Sequence, residues 1–274
     1  MLSSFPALPQ WIALSDGEKD TVLARLSGEL SLPQPFALSR DEYIAPRVVV
    51  DYAELGGKIA FRLIPAHAVP VGLSDDNLAA IHRISDEPQI SVEEMTPLIR
   101  VDVAAFLIAE LPLSVAAARV LVDQGHDERA EFPAYLDDAS ALAAVQRLGA
   151  TLPSEAQWEC AAKAGADPVF PFGDALPSES ELEPWMRYDL RDATSARNAF
   201  GIGGLFFAEW CGDEFATSHA VDAERLAGTR TIKGGGAYFW PWQDEEWVWC
   251  LSSMRMPSSD LDSGVAVCRP VIAL

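Results

Sequence analysis

The sequence predicts an α+β fold whose regular elements lie mainly in the first 165 residues. Residues 48–50 and 59–64 have the composition of two strands, and the turn-like sequence at 54–57 indicates a hairpin between them. Four segments before Gly165 show helical spacing or helix-capping residues. The remaining sequence is rich in Trp and Gly and has no regular period. A long irregular stretch of this kind is typical of loops that build a site.

The first predicted helix begins at Ser15, which forms a capping-box pattern with Glu18. This helix carries an apolar stripe, which is explained either by packing on its own domain or by oligomerisation. The residues of the stripe recur at helical spacing and are Val22, Leu23, Leu26 and Leu30. Further helices are expected at residues 114–124, 138–148 and 154–164, each ending before a glycine.

The helix predicted at residues 154–164 has the strongest start signal. Ser154 is followed three residues later by a glutamine, whose side chain can reach back to the backbone amide of the cap. Trp158 and the alanine three residues after it predict a buried face. Glu155 and Glu159 are interpreted as a solvated or cap-proximal pair.

Composition and charge argue against several classes of protein. The chain has 20 Lys and Arg against 41 Asp and Glu, and this net charge of −21 repels the phosphate backbone of a nucleic-acid partner. No apolar run approaches the ~20 residues that a membrane span needs. The first residues lack the pattern of a secretory signal, and four scattered cysteines do not form a disulfide framework. We therefore expect a cytoplasmic protein with neither a nucleic-acid nor a membrane partner.

A set of motifs occurs in succession from residue 64 onward. The motifs are IPAHAVPVGLSDD at 64–76, VDVAAFLIAELPLSVAAARVLV at 101–122, LPSEAQWECAAKAG at 152–165, FPFGD at 170–174, NAFGIGG at 198–204, AEWCGDEF at 208–215 and KGGGAYFWP at 233–241. In this order they resemble the formylglycine-generating enzyme and sulfatase-modifying-factor family. The resemblance covers residues 58–274 and implies the formylglycine-generating-enzyme variant of the C-type lectin fold. Residues 1–57 are then an N-terminal extension that contains a helix and the first strand of the hairpin.

The catalytic cysteines of that family have no counterpart in this sequence. The resemblance implies a copper-dependent oxidase that converts a cysteine of a target polypeptide into formylglycine, with two cysteines shortly after a GGS-type turn acting as soft ligands. The corresponding residues 236–246 contain no cysteine, and Cys250 and Cys268 lie 18 residues apart. This argues against copper and against oxidase activity. The iron-dependent sulfoxide synthases that share the domain use three histidines from a helical bundle, and residues 1–57 contain none.

Two further motifs of the family are altered. The block that offers oxygen ligands to calcium is shortened to residues 206–210, which leaves Glu209 and Asp213 as candidate ligands and calcium as a candidate cofactor. The closing GFR motif corresponds to GVA at residues 264–266. The resemblance implies that the missing arginine removes either a structural ion pair or a residue of the cavity.

The segment that replaces the cysteines is unusually aromatic, because half of the eight tryptophans fall within ten residues. Trp247 and Trp249 alternate as on one face of a strand, which predicts burial. Trp240 and Trp242 are interpreted either as core residues or as an exposed rim beside acidic residues, as in binding hot spots. The predicted partner-binding residues are Tyr238, Phe239, Trp240, Trp242, Asp244, Glu245, Glu246 and Arg255.

These observations favour a non-catalytic binding protein. We expect it to hold a protein or peptide on the former active-site face, as an adaptor, an inhibitor or an immunity-type protein, and the charge favours a basic partner. Lectin-like scaffolds tolerate loop exchange, as in the ligand-binding variable proteins of diversity-generating retroelements, which share the implied fold. The alternative is an enzyme of altered chemistry, with Cys211, Asp213, Glu209 or Arg255 as polar candidates. A third hypothesis is an assembly role for the first helix.

Overall fold

The computed structural model describes residues 5–124, 129–182, 190, 197–235, 246–261 and 264–274. Within these ranges the chain is a mixed α+β protein, as predicted. The α-helices are α1 (Leu8–Ala13), α2 (Asp16–Glu29), α3 (Asp75–Ile84), α4 (Val115–Val122), α5 (Asp138–Arg147), α6 (Glu155–Lys163) and α7 (Glu179–Leu182). The β-strands are β1 (Phe36–Ser39), β2 (Arg47–Tyr52), β3 (Gly57–Ile64), β4 (His67–Val71), β5 (Ile99–Val103), β6 (Phe106–Ala109), β7 (Glu209–Ala216), β8 (Arg225–Lys233), β9 (Arg255–Pro257) and β10 (Val271–Ala273).

The strands form three antiparallel sheets. The largest has the order β1-β2-β3-β6-β10, so β10 forms one edge and pairs with β6. A two-stranded sheet pairs β4 with β5, and a three-stranded sheet has the order β7-β8-β9. Hairpin neighbours such as β2 and β3 need only short connections, whereas β6 and β10 come from distant parts of the chain.

The hairpin predicted around residues 48–64 is confirmed. β2 pairs with β3 along its whole length. Alternate residues of β2 face the core, so Val48 and Val50 are fully buried while Asp51 is exposed. Because this pairing joins residues on both sides of position 57, the N-terminal residues contribute strands to the same sheet as the rest of the chain.

The capped helices form in the segments predicted for them. At the start of α2, the backbone N–H of Ser15 donates to Oε2 of Glu18 at 2.8 Å. At the start of α6, the N–H of Gln157 donates to Oγ of Ser154 at 3.1 Å, and the N–H of Ser154 donates to Oε1 of Gln157 at 2.9 Å. α4 and α5 occupy the other two predicted segments. None of the helices in the described ranges has the length and apolar composition that crossing a bilayer requires.

The buried apolar residues form three clusters. The first lies between the five-stranded sheet and helices α2, α4 and α5, and it includes Leu26 from the apolar stripe of α2. The second surrounds α6 and the two-stranded sheet and includes the fully buried Trp158, as predicted. The third packs α3 against loop residues, among them Phe170, Phe207 and Trp247.

The strand expected at Trp247 and Trp249 is wrong. Residues Glu246–Cys250 form a 3-10 helix, whose three-residue period does not place alternate residues on one face. Trp247 is 5% exposed and packs edge-on against Phe170, with ring centroids 6.1 Å apart, whereas Trp249 is half-buried. The burial of Trp247 is therefore confirmed, although a helical turn produces it.

Candidate functional site

Most of the predicted partner-binding residues lie outside the described residues. They are Tyr238, Phe239, Trp240, Trp242, Asp244 and Glu245, together with the side chain of Glu246. The described residues that flank this segment show where the chain leaves and re-enters the fold. A Cβ at Gly234 would lie 2.1 Å from the carbonyl oxygen of Phe207, so the two backbones are in close contact. Trp247 packs in the same cluster as Phe207.

A surface groove of about 640 Å³ lies beside this cluster, bounded by β3, the loop after β6 and the start of α4. Leu111 and Leu190 belong both to the wall of this β3–α4 groove and to the cluster that contains Phe207 and Trp247. The volume is within the ~300–1,000 Å³ range of ligand sites. Further aliphatic side chains of the wall are Leu55, Ile59, Ala60, Leu113, Ala116 and Ala117.

Part of the groove wall is charged. Glu110, directly after β6, is 3% exposed and lines the groove. Three guanidinium groups contact its carboxylate: Nε of Arg47 at 2.9 Å, Nε of Arg62 at 2.8 Å and Nη1 of Arg197 at 3.2 Å. A buried carboxylate is stable only with such partners, so Glu110 holds three arginines together at this place.

Arg62 lies deepest in this arginine cluster, with 2% of its surface exposed. Its Nη1 and Nη2 atoms donate to the two carboxylate oxygens of Asp41, both at 2.8 Å, and Nη1 also donates to the carbonyl of Ala45 at 3.0 Å. A Cβ at Gly201 would lie 2.6 Å from the guanidinium carbon. Arg62 is therefore committed to internal contacts, whereas Arg47 and Arg197 line the groove.

Sequence reasoning missed the arginine cluster because its members are distant in the chain. Arg47 and Glu110, for example, are separated by 63 residues. One local signal was present, since Glu110 interrupts the apolar sequence FLIAELPL at residues 106–113. A single acidic residue in such a run indicates a buried ion pair.

Glu159 is fully buried, so a solvated pair on α6 is wrong, whereas the alternative of a position close to the cap holds for Glu155, which lies in the first turn of the helix. Its Oε1 accepts from the backbone N–H of Gly72 at 2.8 Å and lies 2.9 Å from Nζ of Lys163, while Oε2 accepts from Nζ of Lys233 at 3.1 Å. Burial raises the pKa of Glu159, but the two lysines outweigh this effect and lower the pKa overall. The carboxylate is therefore ionised inside the protein.

Glu155, the other member of the predicted pair, also turns inward. Its Oε1 lies 2.7 Å from Nε of Arg255 and 4.0 Å from Nζ of Lys233, and burial raises its pKa. Arg255 was predicted to bind a partner, but it is 1% exposed. Its Nη1 also donates to the carbonyls of Glu94 and Ala216. Arg255 is therefore an internal counter-charge for Glu155 and is not presented at the surface.

The two candidate calcium ligands have other partners. Glu209 is fully buried, and Arg269 binds its carboxylate through Nε at 2.9 Å and Nη2 at 2.5 Å. Asp213 accepts a hydrogen bond from the backbone N–H of Glu155 at 2.6 Å. In the part of the chain that the structure describes, no group of three or more His, Cys, Asp or Glu residues is placed to hold a metal ion. Glu209 is not available to calcium, because Arg269 already neutralises its charge.

A buried arginine, Arg269, follows the altered closing motif, which was expected to lack a structural arginine. It lies three residues beyond the expected position and is fully buried. Besides Glu209, it donates to the carbonyls of Ala109, Glu110 and Gly203 at 3.0, 2.9 and 3.0 Å. Arg269 therefore forms a buried ion pair close to the altered motif, and this pair joins β6, β7 and the loop before β7.

All four cysteines are buried free thiols, and burial raises the pKa of each one. Sγ of Cys160 lies 3.6 Å from Nε2 of His67. Nδ1 of that histidine lies 2.8 Å from the carbonyl oxygen of Pro65, so Nδ1 carries the proton and Nε2 accepts from the thiol. His67 lines a second cavity of about 450 Å³, but Cys160 does not. A neutral thiol behind a cavity wall is not an activated nucleophile.

We expect His219→Gln to make the stability of the protein less dependent on pH. The side chain of His219 is 6% exposed, and burial together with the positive charge of Arg255 lowers the pKa of His219 to about 4. In the unfolded chain, the imidazole of His219 binds a proton below its ordinary pKa of 6.5, whereas in the folded chain it binds one only near pH 4. The stability of the protein therefore falls as the pH drops from 6.5 towards 4. We expect His219 to account for about 2 kcal/mol of the loss between pH 6.5 and 4.5, measured by urea unfolding as the difference between the wild type and the variant. An unchanged loss in the variant would contradict this assignment, and His82→Gln, at an exposed position, is the control.

No family model matches the sequence, and no curated protein sequence matches it. Solved structures do match. Treponema denticola variable protein 1 aligns with a TM-score of 0.53 and 16% sequence identity, over 82% of this chain and 98% of that chain. Identity this low carries information about the fold alone. The chain is therefore similar in overall fold to Treponema denticola variable protein 1.

Proposed function

We propose that this chain is a non-catalytic binding protein on a formylglycine-generating-enzyme-like scaffold. In this proposal, the β3–α4 groove and the aromatic segment 238–246 both contribute to holding a protein or peptide, in an adaptor, inhibitor or immunity-type role. The order of the sequence motifs supports the assignment of the scaffold. A cytoplasmic location is part of the proposal, and four free thiols suit a reducing compartment.

The observation that carries the proposal is the groove. Its wall combines aliphatic side chains with a few charged groups, including arginines, which is the usual composition of recognition sites. Leu111 and Leu190 connect it to the cluster that contains Trp247, which follows the aromatic segment, and Phe207, which contacts Gly234 ahead of that segment. A partner lying in the groove would therefore be close to the positions where this segment leaves and re-enters the fold.

The internal pairing of the candidate catalytic groups supports a non-catalytic role. A nucleophile or a general base must reach the substrate to act. Glu209 is held by Arg269, and Arg255 is held by Glu155. Cys211 is fully buried and the pKa of its thiol is raised by that burial. These groups stabilise the fold, and nothing about their positions favours the alternative enzyme.

Affinity purification from native lysate tests the proposal. Wild-type protein is compared with the double variant Trp240→Ala/Trp242→Ala and with Ala116→Phe, which places a large side chain on the groove wall. Val120→Phe is the matched control, because Val120 lies on the same helix, is 48% exposed and does not line the groove. Circular dichroism establishes that each variant is folded.

We expect one partner to be captured by the wild type and by Val120→Phe, and to be lost from both Ala116→Phe and the tryptophan double variant. No partner above background with wild-type protein would overturn the proposal. Loss from the tryptophan variant alone would contradict a role for the groove. Capture by all four proteins would place the interface elsewhere on the molecule.

A further inference from the structure

The β3–α4 groove has a different charge balance from the rest of the chain. The whole chain carries 41 acidic against 20 basic residues. Among the described residues, the groove wall carries three basic side chains, Arg47, Lys58 and Arg197, against two acidic ones, Glu110 and Glu131. Because salt screens distant charges, the groups in the wall itself decide which ligand the groove accepts. The basic partner favoured by the net charge does not suit this site.

Glu110 does not contribute a free negative charge to the groove. Its two oxygens are shared among three guanidinium groups, those of Arg47, Arg62 and Arg197. Asp41 adds a second carboxylate, bound to Arg62. The cluster therefore holds three positive charges and two negative ones, and the excess positive charge lies with the two arginines that line the groove.

Arg47 has N–H groups left for a ligand. Its side chain is 42% exposed; Nε donates to Oε1 of Glu110 at 2.9 Å, and Nη2 lies 3.5 Å from Oε2. No residue in the described ranges bonds to its Nη1, so part of a group with five N–H donors stays unused. Lys58 is exposed and forms no ion pair within the described ranges, although Asp51 lies opposite it in the β2–β3 register.

We infer that the β3–α4 groove binds a peptide segment in which a carboxylate lies next to an aliphatic side chain, an inference that rests on the proposed function. The carboxylate bonds to the free N–H groups of Arg47 and lies near Lys58, while Arg197, whose Nη1 donates to the carbonyl of Gly201 and contacts Glu110, adds positive charge to the wall. Guanidinium groups suit this role because they bind carboxylates with two parallel hydrogen bonds. The aliphatic side chain packs against Leu55, Ile59 and Leu113.

Short synthetic peptides test this chemistry directly in ligand-observed NMR titrations with the full chain. The reference probe is N-acetyl-Leu-Ala-Leu with a free C-terminal carboxylate, compared with the same peptide as its amide. N-acetyl-Leu-Glu-Leu amide carries the carboxylate on a side chain, and N-acetyl-Leu-Lys-Leu amide reverses the charge. Decanoate supplies a carboxylate on an aliphatic chain without a peptide.

We expect at least one of the two carboxylate peptides to bind about tenfold more tightly than the neutral amide and the lysine peptide, and binding to weaken with salt. Arg47→Gln should weaken the binding about tenfold and Lys58→Gln about threefold. Arg225→Gln changes the net charge equally, lies outside the groove wall and should have no effect. Since Lys58 is exposed, its variant tests the charge without disturbing Glu110.

Each other outcome overturns the inference in a distinct way. If the acid and the amide bind equally, the groove binds peptides but does not recognise the carboxylate. Tighter binding of the lysine peptide would indicate that the groove takes a basic partner. Tighter binding of decanoate would indicate that its ligand is a fatty acid and not a peptide. If no probe binds, the groove does not recognise carboxylate peptides. Partner capture that is lost with both Ala116→Phe and the tryptophan double variant would still support the proposed function in every one of these cases.

Discussion

Replacing Arg269 with methionine is expected to lower the free energy of unfolding by about 3–5 kcal/mol. The guanidinium group is fully buried and donates to Glu209 and to the carbonyls of Ala109, Glu110 and Gly203. Methionine fills similar space but leaves a buried carboxylate without a counter-charge and removes the arginine donor from three carbonyls, of which only that of Glu110 is known to keep another donor, the N–H of Gly203. Such unsatisfied groups are costly because no water reaches them. Urea unfolding measures the loss.

Two further variants make this prediction specific to the buried pair. Arg269→Lys keeps the charge but not the planar arrangement of donors, so we expect a loss that is smaller but still above 1 kcal/mol. Arg25→Met removes an exposed arginine whose contact with Glu29 is 3.7 Å long, and it should cost less than about 0.5 kcal/mol. Equal losses for Arg269→Met and Arg25→Met would contradict the central role of the Arg269–Glu209 pair.

Replacing Glu159 with glutamine is expected to destabilise the protein by about 3 kcal/mol, because it leaves two buried lysines without their shared carboxylate. Lys233 loses its closest counter-charge, since Glu155 lies 4.0 Å away, whereas Lys163 keeps Asp167 at 2.8 Å. The loss therefore falls mainly on Lys233, whose ammonium group also lies 5.5 Å from the ring centre of Trp158. Urea unfolding near pH 7 provides the measurement.

The double variant Glu159→Gln/Lys233→Met separates pairing from packing. If the cost of Glu159→Gln comes from an unpaired buried lysine, the double variant should lose less stability than the two single variants lose together. We expect this difference in the free energy of unfolding to be at least about 1 kcal/mol. Strict additivity would show that the two side chains do not interact.

Because the folded-state pKa of Glu159 is below its ordinary value of 4.5, its stabilising contribution is present above pH 4.5 and is lost as the pH falls below it. Glu159→Gln should lack this part of the acid sensitivity.

Much of the fold could be predicted because its signals are local. Ser15 and Ser154 begin helices through bonds to residues three positions away, and the β2–β3 hairpin is set by alternating burial around a short turn. Interactions of this kind are visible in a few consecutive letters. The burial of Trp158 follows from helical spacing in the same way.

The candidate site could not be predicted because its contacts join distant residues. Glu159 looks solvated beside its helical neighbours, and its partner Lys233 lies 74 residues further along the chain. Glu155 pairs with Arg255 across 100 residues, so neither its burial nor that of Arg255 has a local signal. The aromatic segment was recognised from composition alone, but composition does not reveal the neighbouring groove, whose wall draws on residues from 47 to 197.

The bond from Arg269 to the carbonyl of Ala109 also governs when the chain can complete its folding. It spans 160 residues, and β10 pairs with β6 just beyond it. Closing so long a loop costs conformational entropy before the new contacts form, which slows folding. During synthesis β6 is available long before its neighbour β10, and an unpaired strand edge invites aggregation. The nascent chain is therefore expected to need protection, for example by a chaperone, until residues 269–273 have left the ribosome.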